Sequence, residues 1–224
     1  MIAGVTRDGW TARLWDEAAA TYAAILEHPF LTGLTDGTLD PAAFAHYVGQ
    51  DALYLNDFAR ALTVVGAKAP THRGVAMFGR HAAATVEVEL VLHDTLLPEL
   101  GVDVANVTVA PTTRAYTTYL LATAYGGTFA EGVAAVLPCY WIYAEVGVEL
   151  VKRGSPDARY QRWIDTYADA DYQAIVDEVL ALTDELGPTL SAVDETRARG
   201  HFATTARYEW MFWDAAWRRE VCPI

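Results

Sequence analysis

The sequence predicts an all-α fold of several long helices, and three observations carry that prediction. Apolar residues recur at spacings of three and four, as in the stripe Phe44, Tyr47, Val48, Asp51, Tyr54, Leu55 and Phe58. No segment shows the strict period-two alternation of a half-buried strand. Helix-starting and helix-ending residues punctuate the chain where the apolar periodicity begins and stops.

Taken in order, a first helix runs from Trp10 to Glu27 and is closed by His28-Pro29. Asp40-Pro41 opens a second, with an aspartate N-cap and a proline in the first turn, where its missing N–H costs nothing. A third spans Thr71 to Leu96 and ends near Pro98 and Gly101. Pro111 starts a fourth that stops at Gly126-Gly127. Thr128 and Glu131 form a capping-box pattern ahead of a fifth, which reaches Arg153 with Pro138 inside it. An interior proline removes a helix hydrogen bond, so a kink that loosens the backbone beside Cys139 is expected there. Ser155-Pro156-Asp157 opens a sixth helix through Tyr167, a seventh covers Asp169 to Leu186, and the last runs from Val193 to Trp217. No Gly/Ser-rich or charged linker divides residues 1–224, which predicts a single domain.

Composition narrows the function. Hydrophobic residues make up 53% of the 224, enough for a sizeable core. The formal net charge of -13 opposes binding to nucleic acid or to anionic membrane surfaces. Residues 1–8 lack the apolar run of a signal peptide, and no uncharged apolar stretch of about 18 residues occurs, so neither export nor a membrane span is expected. Two cysteines far apart do not make a disulfide framework. A reducing cytoplasm is the expected location, and there a thiol stays available.

Cys139 is one of those two cysteines and lies in Leu137-Pro138-Cys139-Tyr140-Trp141-Ile142-Tyr143, deep inside the chain. It is a candidate nucleophile; the plainer reading is a small buried hydrophobe. Asp51 shares a helix face with Tyr47 and Tyr54, and a carboxylate inside an aromatic stripe needs a partner or a wet pocket. It is read either as a site acid or as a buried aspartate that caps a helix or pairs with an arginine. Glu209 sits in Tyr208-Glu209-Trp210-Met211-Phe212-Trp213, where apolar surroundings would raise its pKa and let it donate a proton near neutral pH. The alternative is an exposed or salt-bridged glutamate on an otherwise buried helix.

Tyr143 lies one turn after Cys139, with Tyr116, Tyr119 and Tyr167 on other helices. Each alone reads as packing with a satisfied hydroxyl. Together with two acids and a thiol they describe a pocket for a flat, polar heterocycle. Glu87, Glu89 and His93 form a competing, metal-oxygenase constellation, but a di-iron site needs a second Glu-x-x-His copy that the chain lacks, and a structural Glu89–His93 pair is preferred. No HExxH, P-loop or Gly-x-Gly-x-x-Gly pattern occurs, and neither a metal nor a cofactor is expected.

An ordered set of strings then resembles the TenA family, also called thiaminase II or aminopyrimidine aminohydrolase. The set is Trp15, His28-Pro29-Phe30, Asp36-Gly37-Thr38-Leu39, Phe44-x-x-Tyr47-x-x-Gln50-Asp51-x-x-Tyr54-Leu55, Glu89-x-x-x-His93, Ala115-Tyr116-Thr117, Leu137-Pro138-Cys139-Tyr140-Trp141-x-Tyr143-x-Glu145-x-Gly147, Trp163-Ile164-x-x-Tyr167 and Glu209-x-x-Phe212-Trp213. The resemblance covers nearly the whole chain. It implies a haem-oxygenase-like helical bundle without haem, usually a homotetramer, and Cys139 implies the cysteine-containing branch.

It further implies hydrolysis of thiamine, or of 4-amino-5-aminomethyl-2-methylpyrimidine, to 4-amino-5-hydroxymethyl-2-methylpyrimidine. Cys139 would add to the pyrimidine ring, Glu209 would protonate a ring nitrogen, and Asp51 would bind the amino group and move protons. Tyr54, Tyr116, Tyr143 and Tyr167 would orient substrate and acids, and Phe212 would stack on the ring. The alternative reading is a non-catalytic regulatory protein that binds thiamine or its pyrimidine. A thiol in the pocket favours the enzyme, because binding alone does not need one.

Overall fold

In a computed structural model the protein is described over residues 9–94 and 96–223, the side chains of 88–94 excepted. Ten α-helices occur among the described residues: α1 (Trp10–Leu26), α2 (Pro29–Asp36), α3 (Pro41–Ala67), α4 (His72–Asp94), α5 (Leu96–Glu99), α6 (Pro111–Gly126), α7 (Phe129–Leu150), α8 (Ala158–Ala168), α9 (Ala170–Leu186) and α10 (Ala192–Trp217). Short 3-10 turns cover Val104–Asn106 and Gly187–Thr189, and no strand is present among the described residues.

α7 is the central element. It buries 17 of its 22 residues, so it is apolar on every side and needs neighbours all round. α10, α8, α9, α6 and α3 supply them, while α3 packs in turn on α4, α6 and α10. By length and composition α7 is the one described helix apolar enough to cross a membrane, but 78% of its apolar window is covered by the rest of the fold. The capping box is formed: the Thr128 hydroxyl accepts from Glu131 N, and the Glu131 carboxylate accepts from Thr128 N at 2.6 Å. Side chains of Asp40, Asp157, Asp169 and Ser191 cap α3, α8, α9 and α10 in the same manner, each accepting an otherwise unpaired N–H.

Three expectations need correction. The His28-Pro29 stop is also a start: the His28 ring accepts from Phe30 N, Pro29 fills the first turn, and α2 runs to Gly37, whose left-handed φ of 70° ends it. The long third helix is divided, with α4 ending at Asp94 and Leu96–Glu99 forming a separate turn. α7 keeps its helical pattern through Pro138, and the Tyr172 hydroxyl donates to the carbonyls of Cys139 and Tyr140 at 3.3 and 3.2 Å. The backbone beside Cys139 is therefore pinned from α9, not loosened.

Two contacts place the site-bearing helices. Gln50 on α3 donates to Thr108 O and accepts from Ala110 N, both at 2.9 Å, which fixes the start of α6. Gly147 on α7 lets the end of α8 approach closely: a Cβ there would lie 2.4 Å from the carbonyl carbon of Tyr167 and 2.6 Å from its oxygen. Backbone atoms cannot step aside as a flexible side-chain end can, so Gly147→Ala must push α8 away from α7. We expect a loss of about 2 kcal/mol or more, read as a fall of at least about 4 °C in thermal midpoint. An unchanged midpoint would show that the helix crossing relaxes freely.

Candidate active site

A cavity of about 480 Å³ opens between α3, α4, α7, α8 and α9. Its volume suits a small heterocycle with a modest substituent. Asp51, Tyr54, Cys139, Tyr143 and Tyr167, all singled out from sequence, line it. Glu209, Tyr116 and Phe212 stand behind this lining, in the contact of α10 with α3 and α6.

The local reasons are plain. α3 presents Tyr47, Asp51, Tyr54 and Phe58 from one stripe, and all four lie on the cavity. α7 contributes Cys139, Tyr140 and Tyr143 from adjacent turns. The Tyr47 hydroxyl donates to that of Tyr143 at 3.2 Å, joining α3 to α7 across the floor. Phe212 packs its ring 5.7 Å from Tyr47 and 5.6 Å from Tyr54, which sets both phenols from behind. Tyr143, Trp163 and Tyr167 form an aromatic wall, with centroids of neighbouring rings 4.8 to 6.2 Å apart. Arg162 of α8 pairs with Glu99 of α5, and both belong to the cavity lining.

Burial dominates the electrostatics. Glu209 is 1% exposed, and Tyr116 donates to its Oε1 at 2.5 Å. Desolvation drives its pKa from the ordinary carboxyl range up to about 8; the Tyr116 hydrogen bond opposes this and the charge of Asp51 adds to it. Cys139 is held well above the usual thiol range, first by burial and then by the charge of Glu209, with Tyr54 pulling the other way. The Tyr54 hydroxyl is buried and makes no hydrogen bond of good geometry; the thiol is the side chain it interacts with most strongly. The phenols of Tyr47, Tyr54, Tyr116, Tyr143 and Tyr167 are all pushed up by burial, so they remain neutral donors at working pH. Asp51 is 8% exposed, and its charge is felt by Glu209, Cys139 and Tyr47.

A protonated thiol and a carboxyl thus line one largely apolar chamber, with a protonated carboxyl behind its wall. The arrangement can protonate a basic ring nitrogen from one side and deliver sulfur to the ring once the thiol loses its proton.

Not every residue weighed from sequence lies here. Tyr119 instead bonds His201 at 2.8 Å, outside the cavity lining. Glu87 is exposed, and the side chains of Glu89 and His93 lie outside the described residues. No cluster of three or more metal-ligating side chains occurs among the described residues.

Sequence reasoning passed over Tyr172 and His81 and gave no role to Tyr140 and Trp163, quoted only in the resemblance strings; all four line the cavity. Tyr172 and Ile175 face it together from α9, and their spacing of three was the available signal.

A family model described as the TENA/THI-4/PQQC family matches residues 15–219. The chain is 34% identical to an aminopyrimidine aminohydrolase from Halalkalibacterium halodurans, over 95% of this chain and 97% of that one. A solved TenA homologue from P. horikoshii OT3 superposes with a TM-score of 0.86 at 32% identity, over 94% of this chain and 99% of that one. A domain from Shewanella denitrificans with a heme oxygenase-like fold superposes at 0.73 over 96% of this chain and 94% of that one; at 16% identity it shows the fold alone.

The raised Glu209 pKa has a consequence for stability. The unfolded chain releases this proton near the ordinary carboxyl pKa, while the folded chain holds it to about 8. The folded state therefore loses stability as pH rises between those values, and the loss is complete above about 8. Glu209→Gln keeps an acceptor for Tyr116 and removes the titration. We expect it to raise the thermal midpoint by several degrees at pH 8 and by little at pH 4.5. A gain equal at both pH values would mean that Glu209 ionises in the ordinary range.

Proposed function

The chain belongs to the TENA/THI-4/PQQC family, and we propose that it acts, as one helical domain, as an aminopyrimidine aminohydrolase of thiamine metabolism. It is a hydrolase that converts 4-amino-5-aminomethyl-2-methylpyrimidine, or thiamine, to 4-amino-5-hydroxymethyl-2-methylpyrimidine. The observation that carries this reading is a half-buried thiol on an aromatic-walled cavity with a buried, protonated carboxyl behind the same wall. A protein that only bound the pyrimidine would have no use for a desolvated thiol, which supports the enzyme over a regulatory binder.

The steps balance on three side chains. Asp51 takes the thiol proton as Cys139 sulfur bonds to the ring carbon beside a ring nitrogen. That nitrogen receives the electron pair and a proton from Glu209. The 4-amino group then pushes the exocyclic carbon–nitrogen bond to break, and the departing amine takes its proton from Asp51. Water adds to the exocyclic methylene and gives a proton back to Asp51. The carbon–sulfur bond breaks, the ring nitrogen returns its proton to Glu209, and Cys139 recovers its own from Asp51. With thiamine the thiazole departs with the electron pair of the broken bond and needs no proton; Asp51 then keeps the thiol proton for Cys139, and the proton that the adding water releases leaves to solvent.

Tyr116 holds Glu209, while Tyr54 faces the thiol. Tyr143 and Tyr167 bound the ring, and Phe212 supports Tyr47 and Tyr54 from behind. Because burial disfavours both a bare thiolate and an ionised Glu209, proton transfer waits for substrate, which protects the thiol between turnovers.

The chain works in the cytoplasm, where its two unpaired cysteines stay reduced. It assembles as a homotetramer; exposed Val193, Met211 and Trp217 on α10 leave apolar surface for that contact. Sedimentation is then expected to give one species near four times the 24.5 kDa chain, and a monomer at micromolar concentration would refute it.

Cys139→Ser tests the chemistry. A serine hydroxyl is a far weaker nucleophile, so turnover falls by about a hundredfold or more while the helical circular-dichroism signal is kept. Cys222→Ser, at an exposed thiol, leaves turnover within about twofold. Wild-type-like turnover by Cys139→Ser removes the nucleophile from the scheme.

A further inference from the structure

A second hydrogen-bonded group lines the cavity where α4, α7 and α9 meet. His81 of α4 is 5% exposed and lines the cavity next to Tyr140, also 5% exposed. Its Nδ1 lies 3.2 Å from the Tyr140 hydroxyl, and its Nε2 lies 3.2 Å from Oε2 of Glu178 on α9. The Tyr140 ring is wedged between Phe58 and His81, with centroids 5.7 Å from each, so it cannot swing away. Three helices thus meet on one imidazole, none of whose partners takes part in the scheme above.

The chemistry of the partners fixes where the protons sit. Burial lowers the pKa of His81, Glu178 opposes this and Arg80 adds to it, and the imidazole is neutral near pH 7. A neutral imidazole has one N–H. Glu178 offers only acceptor oxygens, and one of them also receives Arg80 at 2.8 Å, so the imidazole N–H belongs on Nε2. Nδ1 then carries a lone pair and accepts from the Tyr140 hydroxyl. That proton is committed, and only the lone pairs of the Tyr140 oxygen remain to face the cavity. The protons of Tyr47 and Tyr172 are committed too, to Tyr143 and to the Cys139 and Tyr140 carbonyls, but Tyr140 is the phenol whose proton is taken by the buried imidazole.

We propose that His81 is a positioning residue that holds Tyr140 as a hydrogen-bond acceptor toward the cavity, so that the site prefers a substrate whose departing nitrogen carries N–H over one whose departing nitrogen is a quaternary ring nitrogen. The aminomethylpyrimidine has such N–H donors, and the thiazolium nitrogen of thiamine has none. The inference rests on the aminopyrimidine reading above and selects between its two substrates.

The test is the ratio of kcat/KM for 4-amino-5-aminomethyl-2-methylpyrimidine to that for thiamine, measured in the wild type, Tyr140→Phe, His81→Leu and the double variant. Tyr140→Phe keeps the ring in place and removes only the oxygen. The wild type is expected to favour the amine, and each single variant to lower the ratio about tenfold, chiefly by loss on the amine. The double variant is expected to fall no further, because His81 acts through Tyr140. His81→Asn, whose side-chain oxygen can stand where Nδ1 stood, is expected to restore part of the ratio. Equal losses on both substrates, or an effect of His81→Leu that persists in the Tyr140→Phe background, would overturn the proposal and leave the hydrolase reading intact. Wild-type turnover of thiamine in preference to the amine would overturn it as well. Wild-type protein that turned over neither compound would instead sink the hydrolase reading, and the preference with it.

Discussion

Desolvation of Glu209 and Cys139 is the constraint around which the rest of this structure is arranged. Both groups are ordinarily charged or easily charged, and both sit where water does not reach freely. The cost is met locally, by a hydroxyl from Tyr116 on the carboxyl and by Tyr54 beside the thiol. It is met globally by the close packing of α7 against α10, the same contact that buries Trp141, Phe202 and Trp213. A looser bundle would admit water, restore ordinary pKa values, and leave the carboxyl ionised when a proton donor is needed.

The aromatic residues follow from the same constraint. A chamber that must be dry yet recognise a polar ring needs large apolar surfaces with a single polar atom each. Tyrosine supplies that, while Trp163 adds ring surface to the wall and Phe212 backs Tyr47 and Tyr54. Close backbone approach at Gly147 brings Tyr167 to the cavity, and the Gln50 bridge sets the helix that carries Tyr116. The side chains of the cavity are fixed by contacts made well away from it.

The His81–Tyr140–Glu178 group extends this logic from reactivity to selection. In the proposed reaction the thiol and carboxyl decide which bonds can be made at the ring, and in the proposed selection the direction of one phenolic proton decides what departs from the methylene. Both effects depend on groups held in one protonation state by their surroundings, and neither requires movement of the backbone.

Helix by helix, the sequence by itself determined most of the architecture: apolar spacing, aspartate and serine caps, proline starts and glycine stops are local chemistry, read without knowing any neighbour. It also determined that Cys139, Asp51 and Glu209 sit in surroundings unusual for their types. α2 escaped because one proline can end a helix and begin the next, a choice made by what Phe30, Leu31 and Leu34 pack against. Only the tertiary structure decided that Asp51 and Cys139, from different helices, line one cavity with Glu209 behind it, that Tyr119 turns to His201 instead, and that Tyr172 pins the backbone beside the thiol. Only it brought His81 to Tyr140, 59 residues apart in the chain. The physical reason is that helix propensity and capping act over one or two turns. Burial, proton position and pKa are set by whichever side chains arrive from elsewhere, and no periodicity in a single helix records them.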